Sequence, residues 1–535
     1  MSAHAGTLPE SPAPTFEHLS LVWELPTASG HEVRVRFRPT GNPEWRAALP
    51  LFAVQAGSNS GFSWPQRHAG SLFGLTPGTA YEVELQHWQD GQLQETRFLA
   101  ASTRLPAQPD PDGTLRPATP ATLAGILGTA QPGDIITLGA GSYAGFSPSR
   151  DGIAGQPITL RGHPDAIITG EIGLFFRQHW ILEDLQMLGR IRLNGSNDIT
   201  VRNSRIEASP TQFNGDTIVC FLRCERLHIV GNELIGTTIW QESAFGANGN
   251  NRGEGVTVTG PGHVIEDNLV VGFRDGISLL EDTEAVDQYS VDILRNRIEA
   301  AADDAIEADF CIHNCRSVGN TVVDAFIAFS AQPTLGGPNF FLRNSAYNVA
   351  HVAFKLYRTS RGDVLLHNTV IKNGDAFGAY PGVPIGTLYA RNNLFIGGPG
   401  GTWNGFSSGS GRVIDLQSLE LASASLNYNG YGSSSGFAGR FGTISFNNLT
   451  ELRNLTTEWH AQQLSLAGSF ATPPAFPADP TQRHSPPDLS LAAASAAVDA
   501  GQPLPNINVD HAGGAPDLGA FELGPADSLF ANGFE

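Results

Sequence analysis

The sequence predicts an all-β protein in which a small β-sandwich precedes a parallel β-helix, a solenoid of stacked coils. Three observations lead to this fold class. Short segments that alternate apolar and polar residues recur along the 535-residue chain, as half-buried strands do. An asparagine returns at a nearly constant spacing between residues 203 and 392. Finally, 61 Gly and 35 Pro supply frequent turns.

The composition narrows the classes of function. The chain contains 32 Lys and Arg against 52 Asp and Glu, a net charge of −20, and 41% of its residues are hydrophobic. This apolar content suffices for a core and excludes disorder as the main state. The acidic balance argues against a general nucleic-acid or anionic-membrane binder, and no stretch approaches the roughly 20 apolar residues that span a bilayer. An acidic polysaccharide remains a compatible partner, because a bound cation can bridge two sets of carboxylates.

Residues 14–104 form the predicted sandwich. Apolar and polar residues alternate around Trp23 and over residues 33–37, and a Thr-Pro-Gly turn leads into a further alternating strand that holds Tyr81. These motifs resemble a fibronectin type III domain, in which Trp23 would lie in the core and the Tyr81 hydroxyl would bond back to the backbone at a strand corner. Residues 105–116, which are rich in proline, are the predicted linker to the second domain.

The second domain is a repeat in which an asparagine precedes a short alternating strand. Eight asparagines mark the repeat: Asn203, Asn232, Asn268, Asn296, Asn320, Asn344, Asn368 and Asn392. Their spacings are 29, 36 and 28 residues and then 24 residues four times. Fixed periods of this length indicate stacked supersecondary units, and units made of strands and turns indicate a parallel β-helix. We interpret the asparagines as a ladder at an inside corner, each side chain bonding to the coils above and below.

Both ends of the repeat carry recognisable segments. Residues 122–130 form a predicted amphipathic helix that covers the open end of the core, and residues 132–143 begin the coil. Residues 497–501 and 517–522 resemble a closing rung. Over residues 117–525 the chain resembles right-handed parallel β-helix proteins of the pectate-lyase-like superfamily, including the alginate lyase and chondroitinase B group. The resemblance implies a right-handed solenoid and a polysaccharide lyase.

The chain has only two lysines, Lys355 and Lys372, beside 30 arginines. Lys can serve as a base when its pKa is lowered, whereas Arg is effectively always protonated. The 24-residue period places Lys355 in one column with Glu307, two coils away and about 10 Å distant. The residue between them is Ala331 by that period and Ala328 by the apolar pattern. We therefore predict a groove in which the Lys355 amine and the Glu307 carboxylate flank a sugar ring.

Acidic residues are dense around this column. Strand alternation places Glu307 and Asp309 on one face, close to Asp304. In earlier coils Glu254 and Asp275 occupy the position that matches Asp304. Stacked carboxylates repel unless a proton or a cation intervenes, and oxygen-only ligands favour Ca²⁺. We predict a calcium site from these five carboxylates, with turn capping as an equally compatible role for Glu254 and Asp275.

The basic side of the column collects His351, Lys355, Tyr357, Arg358 and Arg361. Cleavage of a uronate polysaccharide by β-elimination needs a cation for the carboxylate, a base for the C5 proton and an acid for the departing O4 oxygen. We expect calcium to supply the first and Lys355 the second, its pKa lowered by Arg358 and Arg361. Tyr357 or Arg358 would assist the third, and His351 and Glu307 complete the candidate catalytic residues. The resemblance implies a Lys base, an Arg partner and acid-bound calcium, and Lys355 and Arg358 match in type and place.

Two other functions fit the same residues. A glycoside hydrolase needs a paired acid and base carboxylate and no lysine, which Asp303 or Asp304 with Glu307 would supply. A surface adhesin or other carbohydrate-binding protein would bind without turnover, and its acids would serve as turn caps. For each of these functions we expect a monomer.

The cysteines and the termini bear on the compartment. The four cysteines form two Cys-x3-Cys pairs, Cys220/Cys224 and Cys311/Cys315. Two small-loop disulfides and four buried thiols are both compatible with this spacing. The first residues lack the charged and apolar regions of a signal peptide, and residues 526–535 resemble a short C-terminal tail of exported Gram-negative proteins. Either the chain is cytoplasmic or a signal peptide has been removed; we favour the second and expect a secreted or periplasmic protein.

Overall fold

The computed structural model describes residues 7–380 and 382–524. These residues form an all-β molecule whose few helices are short. The α-helices are Leu123–Gly128, Leu449–Leu455 and Leu466–Ser469, and the 3-10 turns are Phe213–Gly215, Glu242–Ala244 and Asp282–Glu284. No helix in the described ranges is long and apolar enough to cross a membrane. The predicted tail at 526–535 lies outside the described residues.

The N-terminal domain is a six-stranded antiparallel sheet with its own hydrophobic core. In sheet order its strands are Leu19–Trp23, Arg67–Leu72, Arg46–Val54, His31–Pro39, Ala80–Gln89 and Gln92–Ser102. A small hairpin of Gly57–Asn59 and Phe62–Trp64 lies between two of them. Trp23 is fully buried, and the Tyr81 hydroxyl accepts a hydrogen bond from the Thr76 N–H at 2.9 Å. Both residues are placed as expected, while the assignment to the fibronectin type III class stays a prediction.

The second domain is a parallel β-helix, which confirms the predicted fold class. One of its faces is a 13-stranded parallel sheet. Its strands are Leu115–Ala118, Ile135–Leu138, Ile158–Arg161, Gln178–Glu183, Asn197–Arg202, His228–Val230, Val264–Glu266, Asp292–Leu294, Cys315–Val318, Leu335–Leu342, Arg361–Leu366, Tyr389–Arg391 and Ser425–Asn427. Each coil of the chain adds one strand to this face, so residues distant in sequence become neighbours about 4.8 Å apart.

The other faces merge into one 17-stranded parallel sheet, because some long strands belong to two faces. Arg297–Glu307, for example, pairs first with Leu269–Val271 and then with Asp275–Leu279. The strands are Gly141–Phe146, Ala166–Gly173, Gln186–Arg192, Arg205–Glu207, Ile218–Val219, Glu233–Ile235, Glu254–Val258, Leu269–Val271, Asp275–Leu279, Arg297–Glu307, Thr321–Ala331, Ser345–Val349, Phe354–Leu356, Thr369–Ile371, Leu394–Gly397, Gly430–Ser433 and Gln462–Gln463. Two small sheets contain Phe377–Gly378, Ile414–Leu416, Gly439–Phe441 and Ile444–Phe446, and Thr402–Trp403 with Phe406–Ser407.

A ladder of buried asparagines runs along the stack, as predicted. Its members are Asn232, Asn268, Asn296, Asn320, Asn344, Asn368, Asn393 and Asn429. The Oδ1 atom of Asn320 accepts hydrogen bonds from the backbone N–H and from Nδ2 of Asn296, at 2.9 and 3.1 Å. The same pair of bonds recurs from coil to coil, so buried backbone groups at the corner are satisfied.

Two predicted members, Asn203 and Asn392, do not belong to the ladder. Asn203 adopts a left-handed turn conformation with a φ of 51°, and Ser204 takes the ladder position instead. One extra residue in a later coil shifts the register, so that Asn393 enters the ladder. Asn392 bonds to groups outside it, including the carbonyl of Gln502.

Short helices cover both ends of the solenoid core. Leu123–Gly128 buries two leucines at the N-terminal end, as predicted. Leu449–Leu455 buries Leu452 at the other end. The two segments expected to close the stack bond to each other, the Leu518 N–H donating to the Ala497 carbonyl at 2.9 Å.

The segment 466–524 returns along the outside of the solenoid and reaches the N-terminal domain. Asn506 accepts a hydrogen bond from the Phe73 N–H at 2.8 Å and donates to the Phe73 carbonyl at 2.9 Å. Leu504 and Ile507 share a hydrophobic cluster with Phe73. The C-terminal segment is therefore anchored beside the first strands of the chain.

Both cysteine pairs are disulfides, Cys220–Cys224 and Cys311–Cys315, and the first of the two alternatives holds. Each disulfide follows a strand of the 17-stranded sheet. Cys224 lies before the next strand of the 13-stranded sheet, and Cys315 is the first residue of such a strand. The bridges therefore close two corners of the solenoid.

Candidate active site

The candidate residues lie on one face of the solenoid, which we call the site face. It is formed by Glu254–Val258, Asp275–Leu279, the last parts of Arg297–Glu307 and Thr321–Ala331, and Phe354–Leu356. Phe354 and Leu356 lie in the hydrophobic core. Because side chains alternate along a strand, Lys355 between them points away from the core.

Glu307 and Lys355 are in register two coils apart, as predicted, but Ser330 stands between them. Both expected intervening residues, Ala331 and Ala328, are therefore wrong. The reason is a β-bulge in Arg297–Glu307, across which the offset to the next coil falls from 24 to 23 residues. The following offset, from Ser330 to Lys355, is 25. The two changes cancel, so a constant period still pairs the right residues.

Lys355 forms a buried ion pair with Asp304. Its Nζ lies 2.6 Å from Asp304 Oδ2, and its side chain is 10% exposed. Burial lowers the pKa of Lys355, but four carboxylates outweigh burial and raise the pKa well above its usual value. These carboxylates belong to Asp304, Asp309, Glu307 and Asp303. The ammonium form is therefore strongly favoured while the carboxylates are charged.

The predicted lowering of the Lys355 pKa by two arginines is wrong. Arg358 donates a hydrogen bond to Asp282 at 2.8 Å, and Arg361 pairs with Glu420 at 2.6 Å. Arg358 follows the strand in a turn with a φ of 49°, so the alternation that positions Lys355 does not extend to it. Both guanidinium groups are engaged by acids away from the amine.

Asp275, Asp303 and Asp304 form the first carboxylate group. Each offers an oxygen within 4.8 Å of the others, and the Asp304 N–H donates to Asp275 Oδ1 at 2.8 Å. Burial and the charge of Asp304 raise the pKa of Asp303 to about 8 and that of Asp275 to about 6. Arg274 lies at the edge, 3.3 Å from Asp275 and 3.6 Å from Asp303. Asp304 Oδ1 is buried without a hydrogen-bond partner.

Glu281, Glu307 and Asp309 form the second carboxylate group, again with an oxygen from each within 4.8 Å of the others. Asp309 Oδ1 accepts hydrogen bonds from Ser330 Oγ and from the Gln332 N–H, both at 2.7 Å. Burial raises the pKa values of Glu307 and Asp309 well above their usual range. Neighbouring carboxylates add to the rise, and at Asp309 the charge of Lys355 opposes it. Its residues follow those of the first group along the same two coils: Glu281 comes after Asp275, and Glu307 and Asp309 come after Asp304.

Four of the five predicted ligands thus fall into the two groups, and the fifth, Glu254, is in neither. Glu254 pairs with Asp275, and Asp275 adjoins Asp304 in the next coil, so the stacked column is confirmed. Its Oε2 accepts a hydrogen bond from Ser278 at 3.1 Å. Burial and the neighbouring Asp275 raise the pKa of Glu254 well above its usual value. Glu281 was not among the predicted ligands, and its only signal in the sequence is an acidic run after a strand.

Aromatic residues border the site face. His351 Nδ1 lies 2.7 Å from the Ser407 carbonyl, and its ring stacks on Phe326 at 5.2 Å between centroids. Burial lowers the pKa of His351 to about 4, so the ring is neutral near pH 7 and Nδ1 is the donor. The ring of Tyr357 lies 4.9 Å from that of Tyr380. The His351 ring thus lies within a packed aromatic cluster. The phenol groups of Tyr357 and Tyr380 lie side by side at the same border.

The N-terminal domain reaches the rim of the site face through its small hairpin. Asn59 Nδ2 donates to the carbonyls of Arg358 and Thr359, at 2.7 and 3.3 Å. The ring of Phe62 packs edge-on against Phe310 at 5.5 Å. The hairpin thus contacts the turn that follows the last site-face strand.

Comparison with known proteins gives only distant likenesses. No protein-family model matches the chain, and no curated protein matches it. Pectate lyase Pel9A has 14% identity and a TM-score of 0.40, over 77% of this chain and 96% of that chain. The PL6 family alginate lyase AlyGC has 14% identity and a TM-score of 0.41, over 62% and 50%. The Family 28 exopolygalacturonase of Yersinia enterocolitica has 10% identity and a TM-score of 0.32, over 79% and 94%. Likeness at this level carries no argument about the activity of this chain.

Proposed function

We propose that the protein is a polysaccharide lyase that cleaves a uronic-acid-containing polysaccharide by β-elimination on the site face. The position of Lys355 carries this proposal. Its amine points away from the core, 2.6 Å from Asp304 and beside the first carboxylate group. A nitrogen base next to an oxygen-rich cation site answers two needs of the reaction, removal of the C5 proton and positive charge for the uronate carboxylate.

The first carboxylate group fits Ca²⁺. All of its donors are oxygens, which Ca²⁺ prefers, and Asp304 Oδ1 is a buried oxygen without a partner. A bound Ca²⁺ would supply positive charge that pairs with the uronate carboxylate and makes the C5 proton more acidic. Asp275, Asp303 and Asp304 would hold it.

In this scheme the amine of Lys355 takes the proton from C5. The C4–C5 double bond forms, and the bond between C4 and the departing O4 breaks. The phenol of Tyr357, which packs beside Tyr380, gives a proton to O4. Arg358 is held by Asp282 and has no proton transfer in this assignment.

An ultraviolet assay tests the proposal. Polygalacturonate, alginate and glycosaminoglycans are incubated with the full chain, with and without Ca²⁺, and the absorbance of the C4–C5 double bond is followed. We expect an unsaturated product from at least one polymer and its loss in Lys355→Ala. No unsaturated product from the whole panel, or equal product from Lys355→Ala, would refute the proposal.

A glycoside hydrolase is the second candidate, favoured by one observation. Burial and the charge of Asp304 raise the pKa of Asp303 to about 8, so this carboxyl is protonated at neutral pH, as a general acid requires. Hydrolysis would release reducing ends without ultraviolet absorbance, and Asp303→Asn would abolish it. Retention of oligosaccharide with neither product would identify a non-catalytic carbohydrate-binding protein.

We also propose that the protein acts outside the cytoplasm, in the secreted or periplasmic space. Its two disulfides support this location, because such bonds persist in oxidising compartments. A polymeric substrate supports it too, since large polysaccharides are met outside the cell. Detection of the protein in the medium or periplasm of its native host would test the location.

A further inference from the structure

We propose that Arg192, Phe175 and Phe221 form a distal subsite that binds a carboxylate-bearing sugar ring, far from Lys355 on the continuation of the site face. The subsite binds the polymer and takes no part in the reaction. The inference rests on the proposed function for the class of polymer, an acidic polysaccharide.

The first argument is strand register. The pairing of strands continues the column of Glu307 and Lys355 towards the N-terminal end of the solenoid. Its next members are Ser278, Thr257, Val219 and Arg192. Arg192 is therefore in register with Lys355, at a distance of about 29 Å over six strand spacings. A sugar ring is about as long as one strand spacing, so a chain of about six to seven rings connects the two residues.

The direction of the Arg192 side chain agrees with this register. Ile191 and Leu193 lie in the hydrophobic core. Because side chains alternate along a strand, Arg192 between them points away from the core, as Lys355 does. Arg192 is partly exposed, whereas the column members between it and Glu307 are small and buried. The guanidinium is thus the accessible charged group at this end of the column.

The second argument is a positive charge without an acidic partner. Arg190, two residues earlier, pairs with Glu171 at 2.7 Å and with Asp216 at 3.4 Å. In the described part of the chain no acid pairs with Arg192 in this way, although the net charge is −20. The Nε atom of Arg192 is buried without a hydrogen-bond partner. Because a guanidinium matches a carboxylate through two parallel hydrogen bonds, a uronate is the complementary ligand.

The third argument is the aromatic setting of the guanidinium. It lies over the ring of Phe175 at 5.6 Å and over the ring of Phe221 at 5.7 Å. The first ring comes from the coil before Arg192 and the second from the coil after it. These cation–π contacts hold a flexible side chain in one place. Both rings are partly exposed, so the apolar face of a sugar can pack on them while its carboxylate meets the guanidinium.

Calorimetric binding of uronate oligomers to the full chain carrying Lys355→Ala tests the proposal, because this variant should hold a substrate without cleaving it. The probes are galacturonate and alginate oligomers of about three and about ten rings, shorter and longer than the distance between the two residues. We expect at least one long oligomer to bind more tightly than its short counterpart. Arg192→Gln should weaken binding of the long oligomer at least about 10-fold and leave the short one unchanged.

Arg34→Gln is the matched control. The Arg34 guanidinium also lies over an aromatic ring, that of Trp88 at 4.4 Å, but it is paired with Glu32 at 3.0 Å in the N-terminal domain. This change should leave both affinities unaltered. Arg192→Lys retains the charge without the planar fork and should recover only part of the affinity. A neutral malto-oligosaccharide of the longer length should show no dependence on Arg192.

Equal affinity for the long oligomers with and without Arg192→Gln would overturn the proposal, and so would the absence of binding by either long oligomer. These outcomes are distinct from those of the ultraviolet assay. Weakened binding in Arg192→Gln, with no unsaturated product from any polymer, would refute the lyase and support the subsite. Unsaturated product together with unchanged binding would support the lyase and refute the subsite.

Discussion

The two lysines of the chain occupy opposite environments. Lys355 lies on the site face among carboxylates, and their charge raises its pKa well above the usual value. Lys372 is 1% exposed, and burial lowers its pKa to about 7, against the opposing charge of Asp375. Its Nζ donates to three backbone carbonyls, those of Asn373, Asp375 and Ser408, at 2.6, 3.3 and 3.3 Å.

This difference teaches that a lowered pKa does not by itself mark a catalytic base. By pKa alone Lys372 is the better candidate, since a base works best near the operating pH. It is enclosed by backbone carbonyls, however, and a polymer cannot reach it. Lys355 has the less favourable pKa but the partners and the direction that the reaction needs, so geometry decides between them.

The largest expected effect separates the two lysines by activity. Lys355→Ala should lower uronate cleavage by about 10³-fold, within the usual contribution of a general base. Lys372→Met, the matched control, should keep activity within about 10-fold, because its amine touches only backbone. Initial rates of double-bond formation measure both. Comparable losses of cleavage activity in the two variants would contradict the assignment of Lys355 as the base.

The second effect concerns the carboxylates that distinguish Lys355. They hold its amine protonated while they are charged, so turnover is expected to need a divalent cation that compensates them. Chelation with EDTA should lower the rate by about 100-fold, and Ca²⁺ should restore it. Full turnover after exhaustive chelation, verified by metal analysis, would count against calcium.

The third effect concerns the stability that Lys372 contributes as a function of pH. Its folded pKa is about 7, whereas an unfolded lysine titrates near 10.4. Between these values the unfolded chain binds the extra proton, so the free energy of unfolding rises with pH, by about 1.4 kcal/mol per unit. This contribution is lost as the pH falls towards 7.

Urea unfolding at about pH 7.5 and pH 9 measures that slope. The stability difference between the natural protein and Lys372→Met should change by about 2 kcal/mol between the two conditions. If the unfolding free energies of both proteins change equally with pH, the three backbone carbonyls keep the Lys372 ammonium charged. The two lysines would then differ only in whether a polymer can reach them.

The smallest effect concerns the hairpin that borders Lys355 and not Lys372. Asn59→Ala removes the hydrogen bonds to the carbonyls of Arg358 and Thr359 and should loosen the turn after the site-face strand. We expect KM to rise about 2- to 5-fold with kcat unchanged, the effect of about 1 kcal/mol. A kcat that falls with constant KM would contradict a role in substrate placement.

Much of the fold could be predicted from the sequence, because each coil of the solenoid repeats the same buried asparagine followed by a short strand. The asparagine spacing revealed the stack, and it also located the column of Glu307 and Lys355. The spacing gave the wrong ladder residue where a coil changed length by one residue, as at Asn392, because nothing in the local sequence indicates an inserted residue. The bulge before Asp304 was equally invisible, and only its cancellation in the next coil preserved the predicted register.

The chemistry of the site was less predictable than its location. The pKa of Lys355 depends on carboxylates from separate coils, whose distances appear only once the coils are stacked. The direction of Arg358 depends on the turn geometry at that residue. Glu281 lies in a loop, where no strand period indicates the direction of a side chain.

The returning C-terminal segment has a consequence for unfolding. Stacked-repeat proteins can lose their coils one at a time from a free end. Here the hydrogen bonds between Asn506 and Phe73 join the returning C-terminal segment to the N-terminal domain. Stepwise unfolding from the last coil would first require these hydrogen bonds to break. The solenoid should therefore unfold in one cooperative transition instead of coil by coil.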